Sequence, residues 1–235
     1  MWSIVDDSPI ALPSGLEVGM PALLAAVEAV NLSLSRVARN TSQMAINLFE
    51  VLDFRVLSGL VGEFLVAELA SLEQSLLKNP NIDGYPDLLD VSRPIYLEDV
   101  AAWIDHDRAQ FIAYRHGGIE VKNTFGVKRP GEDLLQGERR IGQILDALDW
   151  KAHHTETNFL LATFSDFVDG APQIVAAMYS DSLSETDWRA KSNPSPGSTM
   201  TSFSVIAASG RNKLMAGLRI CADDPIYKAF FGIGQ

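Results

Sequence analysis

The sequence predicts an α/β fold in which a mixed central β-sheet is flanked by helices and the N-terminal third is mainly helical. Three observations predict it: apolar residues at helical spacing dominate residues 20–77, an alternating strand surrounds Glu120, and two apolar runs flank a turn at 169–172. With 235 residues and 47% hydrophobic content, the chain is long enough to bury a full core. No internal repeat or low-complexity tract divides it. We therefore read one domain, 1–235, with a mainly helical part over 1–78, a sheet core over 79–182, and a loop and hairpin over 183–235.

The first helix is predicted from Met20 to Val37, where strong helix formers keep apolar residues on one stripe until Asn40. Ser42–Leu57 and Gly59–Leu77 also read as helical, with Ser58-Gly59 as a break or kink. The segment 78–86 carries two prolines, two asparagines and a glycine, which marks a loop delivering the chain to Asp87. Alternation in 111–115, the tripeptide His116-Gly117-Gly118 and the run Ile119–Thr124 predict a β-hairpin. Glu132–Asp149 shows an apolar stripe of Leu134, Leu135, Ile141, Ile144, Leu145 and Leu148, and reads as a helix. Asn158–Val168 and Gln173–Tyr179 read as strands around the turn Asp169-Gly170-Ala171-Pro172. A strand, helix, strand succession of this kind is a crossover that places the later strands beside the Glu120 strand. Beyond a polar loop over 191–204, the runs 203–209 and 214–222 predict a hairpin around Gly210-Arg211-Asn212.

Charge narrows the function classes. A net charge of −11 argues against a general nucleic-acid binder, which displays excess lysine and arginine to displace phosphate counterions. The acidity is segregated, however: residues 1–110 hold 6 Lys+Arg against 16 Asp+Glu, and residues 111–220 hold 12 against 12. A local basic cleft remains compatible with the second half. The single cysteine, Cys221, excludes an intramolecular disulfide and a multi-cysteine zinc site, and fits a cytoplasmic protein. The N-terminus has Asp6 and Asp7 and no basic region of a secretory signal, and no apolar stretch is expected to span a membrane.

The most informative constellation is Pro86-Asp87 followed by Glu120-Val121-Lys122, 33 positions on. On a strand, Ile119 and Val121 face one side while Glu120 and Lys122 emerge together on the other. Two carboxylates and one amine then meet at one place, where a hard cation such as Mg²⁺ bridges carboxylate and phosphate and the lysine handles the attacking water. Asp90 and Asp83 are alternatives to Asp87 as the first carboxylate.

These residues resemble the PD-(D/E)xK nuclease superfamily, which includes many type II restriction endonucleases. The resemblance covers about a quarter of the chain. It implies a restriction-endonuclease-like fold, Mg²⁺ bound by Asp87, Glu120 and the Val121 carbonyl, and Lys122 directing the nucleophilic water. In that family an upstream helix often supplies another acidic residue, and Glu63 is the natural candidate here. The implied reaction is hydrolysis of a phosphodiester in double-stranded DNA at a specific short sequence. A homodimer is expected, because cutting both strands of a palindrome suits two-fold symmetry. The alternatives are a DNA-repair or junction-resolving nuclease of the same fold, and a non-catalytic binding module in which Glu120 and Lys122 form a structural ion pair.

Candidate DNA contacts are Asn123, Lys128, Arg129, Lys151, His153, Ser202, Arg211, Asn212 and Lys213. Arginine and asparagine read base edges, while hydroxyls, lysines and backbone amides grip phosphates. The competing reading of each is an ordinary solvated residue, and the pair Arg139-Arg140 stands in the same position. Adjacent His153 and His154 point opposite ways on an extended segment with no third ligand at useful spacing, so DNA contact or helix capping is preferred to metal binding. Trp103, Trp150 and Trp188 are expected in the core or an interface rather than as base-stacking platforms.

Overall fold

The computed structural model describes residues 1–44, 46–155, 158–191 and 203–234. The chain enters through β1 (Trp2–Ile4) and a small ribbon of β2 (Ile10–Ala11) and β3 (Glu17–Val18) before α1 (Met20–Ser42). Pro21 lies in the first turn of α1, where its missing N–H breaks no helical bond. By length and composition alone α1 is apolar enough to cross a membrane, contrary to the sequence expectation. Its Leu23, Ala26, Val27, Val30 and Leu34 are fully buried in this fold.

After the short α2 (Leu48–Val51), α3 spans Phe54–Leu72. Asp53 caps it by accepting hydrogen bonds from the Arg55 and Val56 N–H groups. The helix therefore starts earlier than expected and runs unbroken through Ser58-Gly59, with Leu57, Val61, Leu65 and Leu69 fully buried at four-residue spacing. Residues 76–78, expected to prolong the helix, leave it to form β4 (Leu76–Lys78).

β5 (Leu88–Asp90) pairs antiparallel with β4 and with β6 (Gly118–Thr124), and α4 (Pro94–His106) connects β5 to the segment before β6. The expected hairpin between 111–115 and β6 does not form. Arg108–Phe111 is a 3₁₀ turn, and Ala113 bridges Tyr85 in parallel instead. Gly118 explains the choice of neighbour: at φ 153°, a Cβ there would lie 1.9 Å from the Leu88 carbonyl oxygen, so β5 closes on β6 at a distance only glycine permits.

The expected helix over 132–149 is also absent. Apart from a 3₁₀ turn at Ile141–Gln143, no regular helix forms there. Gly137 adopts φ 88°, and the buried Asp166 carboxylate captures the Arg140 and Ile141 N–H groups that a helix would have used. Ile141, Ile144 and Leu148 are still buried, so the apolar stripe reports burial without helicity. The chain then forms β7 (Lys151–Ala152), β8 (Leu160–Val168) and β9 (Ala171–Ser180). Asp169 (φ 51°) and Gly170 (φ 75°) turn the β8–β9 hairpin with the paired positive φ of a tight two-residue hairpin loop.

β10 (Ser204–Val205) pairs with β7, and α5 (Ala208–Ala216) replaces the expected hairpin turn at 210–212. Gly210 is helical, and a Cβ there would lie 2.8 Å from both Asp187 Cβ and its carbonyl oxygen. Close helix packing, rather than turn chemistry, accounts for this glycine. β11 (Leu218–Ala222) and α6 (Pro225–Phe231) complete the fold.

The main sheet has seven strands in the order β1-β11-β9-β8-β6-β5-β4, so strands from both ends of the chain share it. β6 and β8 run parallel and the other pairs antiparallel, which makes the sheet mixed. Among the described residues six helices accompany it. One core contains the buried residues of α1 and α3 with Ile119 and Val121. A second contains Trp150, Trp188, Leu160, Ala162 and Phe164 with Leu214 and Tyr227. Trp150 and Trp188 are thus core residues, as expected. A third, smaller cluster gathers Leu89, Val100, Phe111 and Tyr114, with Trp103 partly buried against it.

Candidate active site

Ile119 and Val121 point into the core beneath α1 and α3, which leaves Glu120 and Lys122 together on the opposite face of β6. β5 ends its pairing at Leu88, directly opposite Ile119. One residue earlier the Asp87 side chain takes over the strand edge: its Oδ2 accepts the Val121 N–H at 2.8 Å, and the Asp87 N–H donates to Glu120 Oε2 at 3.3 Å. Lys122 Nζ lies 2.6 Å from Glu120 Oε1 and 3.4 Å from Asp87 Oδ2. The fold therefore brings Asp87, Glu120 and Lys122 into one cluster. Asp90 is buried elsewhere, accepting from the Ser92 N–H and hydroxyl, and Asp83 is on an exposed loop.

Electrostatics are uneven across the cluster. The Glu120 side chain is 5% exposed, against 27% for Asp87 and 23% for Lys122. Burial, partly offset by Lys122 and reinforced by the neighbouring Asp87, pushes the Glu120 carboxyl up to about 7. Burial alone would lower the Lys122 ammonium, but Glu120 and Asp87 outweigh it and hold its pKa above the ordinary lysine range. Once Glu120 is ionised, one ammonium faces two carboxylates, and the excess negative charge sits on a buried group.

A hard cation fits this excess. Asp87 Oδ1 accepts no hydrogen bond among the described residues. The Val121 carbonyl points to the same side of β6 as its N–H, toward Asp87, because both backbone groups of one strand residue face the same neighbour. Two carboxylates and one carbonyl make an all-oxygen set suited to Mg²⁺, which keeps several of its waters. Among the described residues no group of three or more His, Cys, Asp and Glu side chains forms a denser metal site.

Asn79 and Tyr85 support the cluster, and neither stands out in the sequence. Buried Asn79 donates from Nδ2 to the carbonyls of Pro86 and Phe111, and its backbone N–H donates to the Asp87 carbonyl. Tyr85 exchanges backbone bonds with Ile112 and Tyr114, and its ring stands 5.2 Å from that of His154. The segment 111–114 therefore braces the loop that presents Asp87. The Tyr85-Pro86 peptide bond in that loop is cis. A cavity of about 230 Å³ adjoins Asp87 and is lined by Glu63, Lys78, Asn79 and Gly84. Glu63 is half-exposed and paired with Lys78 at 2.5 Å, so it shares the cavity with Asp87 without joining the Lys122 cluster.

The expected DNA contacts are less convergent. Asn123 turns inward, its Oδ1 accepting from the Thr163 and Ser165 hydroxyls, and serves the interior. Arg129 pairs with Asp146 at 2.9 Å, Lys128 donates to the Glu132 carbonyl, and Lys151 lies over the Phe203 ring. On α5, Arg211 pairs with Asp149 and Lys213 with Asp187, so both tie the helix to its surroundings, while Asn212 is exposed. His153 is exposed, and Ser202 lies outside the described residues. No family model matches the chain, and no curated protein or solved structure matches it either.

Proposed function

We propose that this protein is a Mg²⁺-dependent nuclease that hydrolyses phosphodiester bonds of double-stranded DNA, acting at a short specific sequence in the manner of a type II restriction endonuclease. The observation that carries the reading is the meeting of Asp87, Glu120 and Lys122 at the open edge where β5 stops pairing with β6. Asp87, Glu120 and the Val121 carbonyl would hold the cation, which supplies charge stabilisation at the phosphoryl group and a more acidic bound water.

The protein's own groups divide the remaining work. Lys122, held charged by its two carboxylates, orients the attacking water and neutralises charge growing on the phosphoryl oxygens. Glu120, whose carboxyl burial pushes up to about 7, gives up its proton to become a ligand. Asn79 is a positioning residue that fixes the Asp87 backbone. A homodimer and a cytoplasmic location follow from this reading as further proposals.

The same cluster has a second reading, a structural ion-pair triad in a binding module, favoured by the way Lys122 is already engaged by both carboxylates. Incubation of the purified protein with unmethylated plasmid and phage DNA in Mg²⁺ separates the cases. Discrete fragments identify a site-specific nuclease and a smear identifies a repair-type nuclease. Intact DNA with folded protein supports the binding module.

A further inference from the structure

A second site lies at the other end of the β6–β8 pair. Leu160 is in register with Glu120, and Asp166, which anchors residue 140, is six residues further along β8. At about 3.3 Å per residue, this places it roughly 20 Å along the strand from the level of Glu120. The Arg140 side chain is buried, with the residue 5% exposed, yet it makes no ion pair among the described residues, and its Nε and Nη1 have no hydrogen-bond partner. Asp166, the carboxylate whose charge acts on it, is already committed to the N–H groups of Arg140, Ile141 and Phe167 and to the Tyr227 hydroxyl. The guanidinium instead lies 3.8 Å from the centroid of the Phe54 ring. Burial lowers its pKa to about 10, with partial compensation from Asp166.

An unpaired buried cation is expensive, and a guanidinium does not escape the cost by losing its proton near neutrality. Arg140 borders a cavity of about 530 Å³ whose other walls are Phe54, Lys128, Asp133, Leu134 and Leu135. Two cations and one carboxylate line it, leaving a net positive charge, and Phe54 with the two leucines gives it an apolar wall. From the unpaired buried guanidinium and the cavity it borders, we propose that this cavity binds an oxyanion of the phosphate class, with Arg140 as the buried counter-charge and Lys128 as the solvent-facing one. Guanidinium and phosphate are matched in charge and in hydrogen-bonding geometry, and a lysine adds a mobile point charge. The inference stands whether or not Asp87, Glu120 and Lys122 cut DNA. The phosphate belongs either to a free phosphorylated compound or to a DNA backbone.

The test titrates inorganic phosphate into the full-length protein at ionic strength matched with NaCl, following amide chemical shifts and the thermal midpoint. The expected result is saturable binding, with shifts concentrated at Phe54, Lys128 and residues 133–140 and a rising midpoint. Lys128→Met, an exposed change that leaves the fold intact, weakens binding by about tenfold, and Arg140→Met removes it. If Arg140→Met fails to fold, the wild-type shift map and Lys128→Met still decide. A parallel titration with a DNA duplex separates the sources. Competition by phosphate, together with weaker duplex binding in Lys128→Met, assigns the site to a backbone phosphate. Phosphate binding without either effect assigns it to a free compound. No saturable phosphate response in the wild type, or one unchanged in Lys128→Met and Arg140→Met, would overturn the proposal and leave Arg140 as a cation stacked on Phe54.

Discussion

The Asp87 carboxylate accepts the Val121 backbone N–H at 2.8 Å, so a side chain occupies the position that a main-chain carbonyl of β5 would otherwise fill. This bond explains how residues 33 positions apart form one site. β5 ends one residue before it would cover the edge of β6, and the exposed edge is used to orient an acidic side chain rather than to extend the sheet. The orientation is fixed by backbone geometry, and the catalytic proposal depends on it.

Protonation of Glu120 links stability to pH. The folded protein holds this proton up to about 7, above the range in which an unfolded glutamate loses it. Stability from this group is therefore full below the ordinary carboxylate range and falls as pH rises toward 7, by roughly 3 kcal/mol in all. Denaturant titrations at about pH 5 and about pH 8 check this, with the decline expected in wild type and lost in Glu120→Gln. Because the cation needs the ionised carboxylate, Mg²⁺ affinity is expected to rise over the same interval, with proton release on binding.

Gly118→Ala tests the close approach of β5 and β6. The added Cβ would collide with the Leu88 carbonyl oxygen at a positive φ, so the strands must separate next to Asp87. We expect a loss of about 2 kcal/mol or more, together with weakened Mg²⁺ binding, measured by calorimetry and metal titration. A variant with unchanged stability and metal affinity would show that this contact does not position Asp87.

Asn79 and Glu63 border the same cavity but have opposite predicted profiles. Asn79→Ala leaves the Pro86 and Phe111 carbonyls without their donor and is expected to destabilise by about 1–3 kcal/mol and to lower cleavage with it. Glu63→Gln removes a half-exposed pair with Lys78 and is expected to cost less than about 1 kcal/mol. Cleavage rates and thermal midpoints of the two variants distinguish these profiles.

Asp166→Ala is expected to be among the most destabilising single changes. It removes the acceptor of three N–H groups and the Tyr227 hydroxyl in a fully buried setting. A loss of about 3 kcal/mol or more, or roughly 6–12 °C in thermal midpoint, is expected from calorimetry.

The parts of this structure that local chemistry controls were legible in the sequence. The apolar stripe of α1 and the alternation around Glu120 each predict the element found, and Pro86-Asp87 with Glu120-Val121-Lys122 predicts the cluster; the turn expected over 169–172 closes in two residues, with Ala171 and Pro172 already paired in β9. Local pattern and structure diverge where distant partners decide. The stripe over 132–149 is buried as an irregular segment because Asp166 takes its N–H groups. Residues 111–115 pair with Tyr85 because the edge of β6 is reserved for β5 by Gly118. Gly210 mimics a turn signal but marks a helix pressed against Asp187. Asn79 carries no sequence motif, and its role is visible only once the Pro86 and Phe111 carbonyls converge on it.

The most direct test of the central claim compares wild type with Asp87→Asn, Glu120→Gln and Lys122→Ala in single-turnover cleavage of duplex DNA with Mg²⁺, alongside DNA binding in Ca²⁺. The account predicts cleavage by wild type and a loss of at least about a hundredfold in each variant, with binding retained. Full cleavage by Lys122→Ala, or no cleavage by a folded wild type that binds DNA, would contradict it.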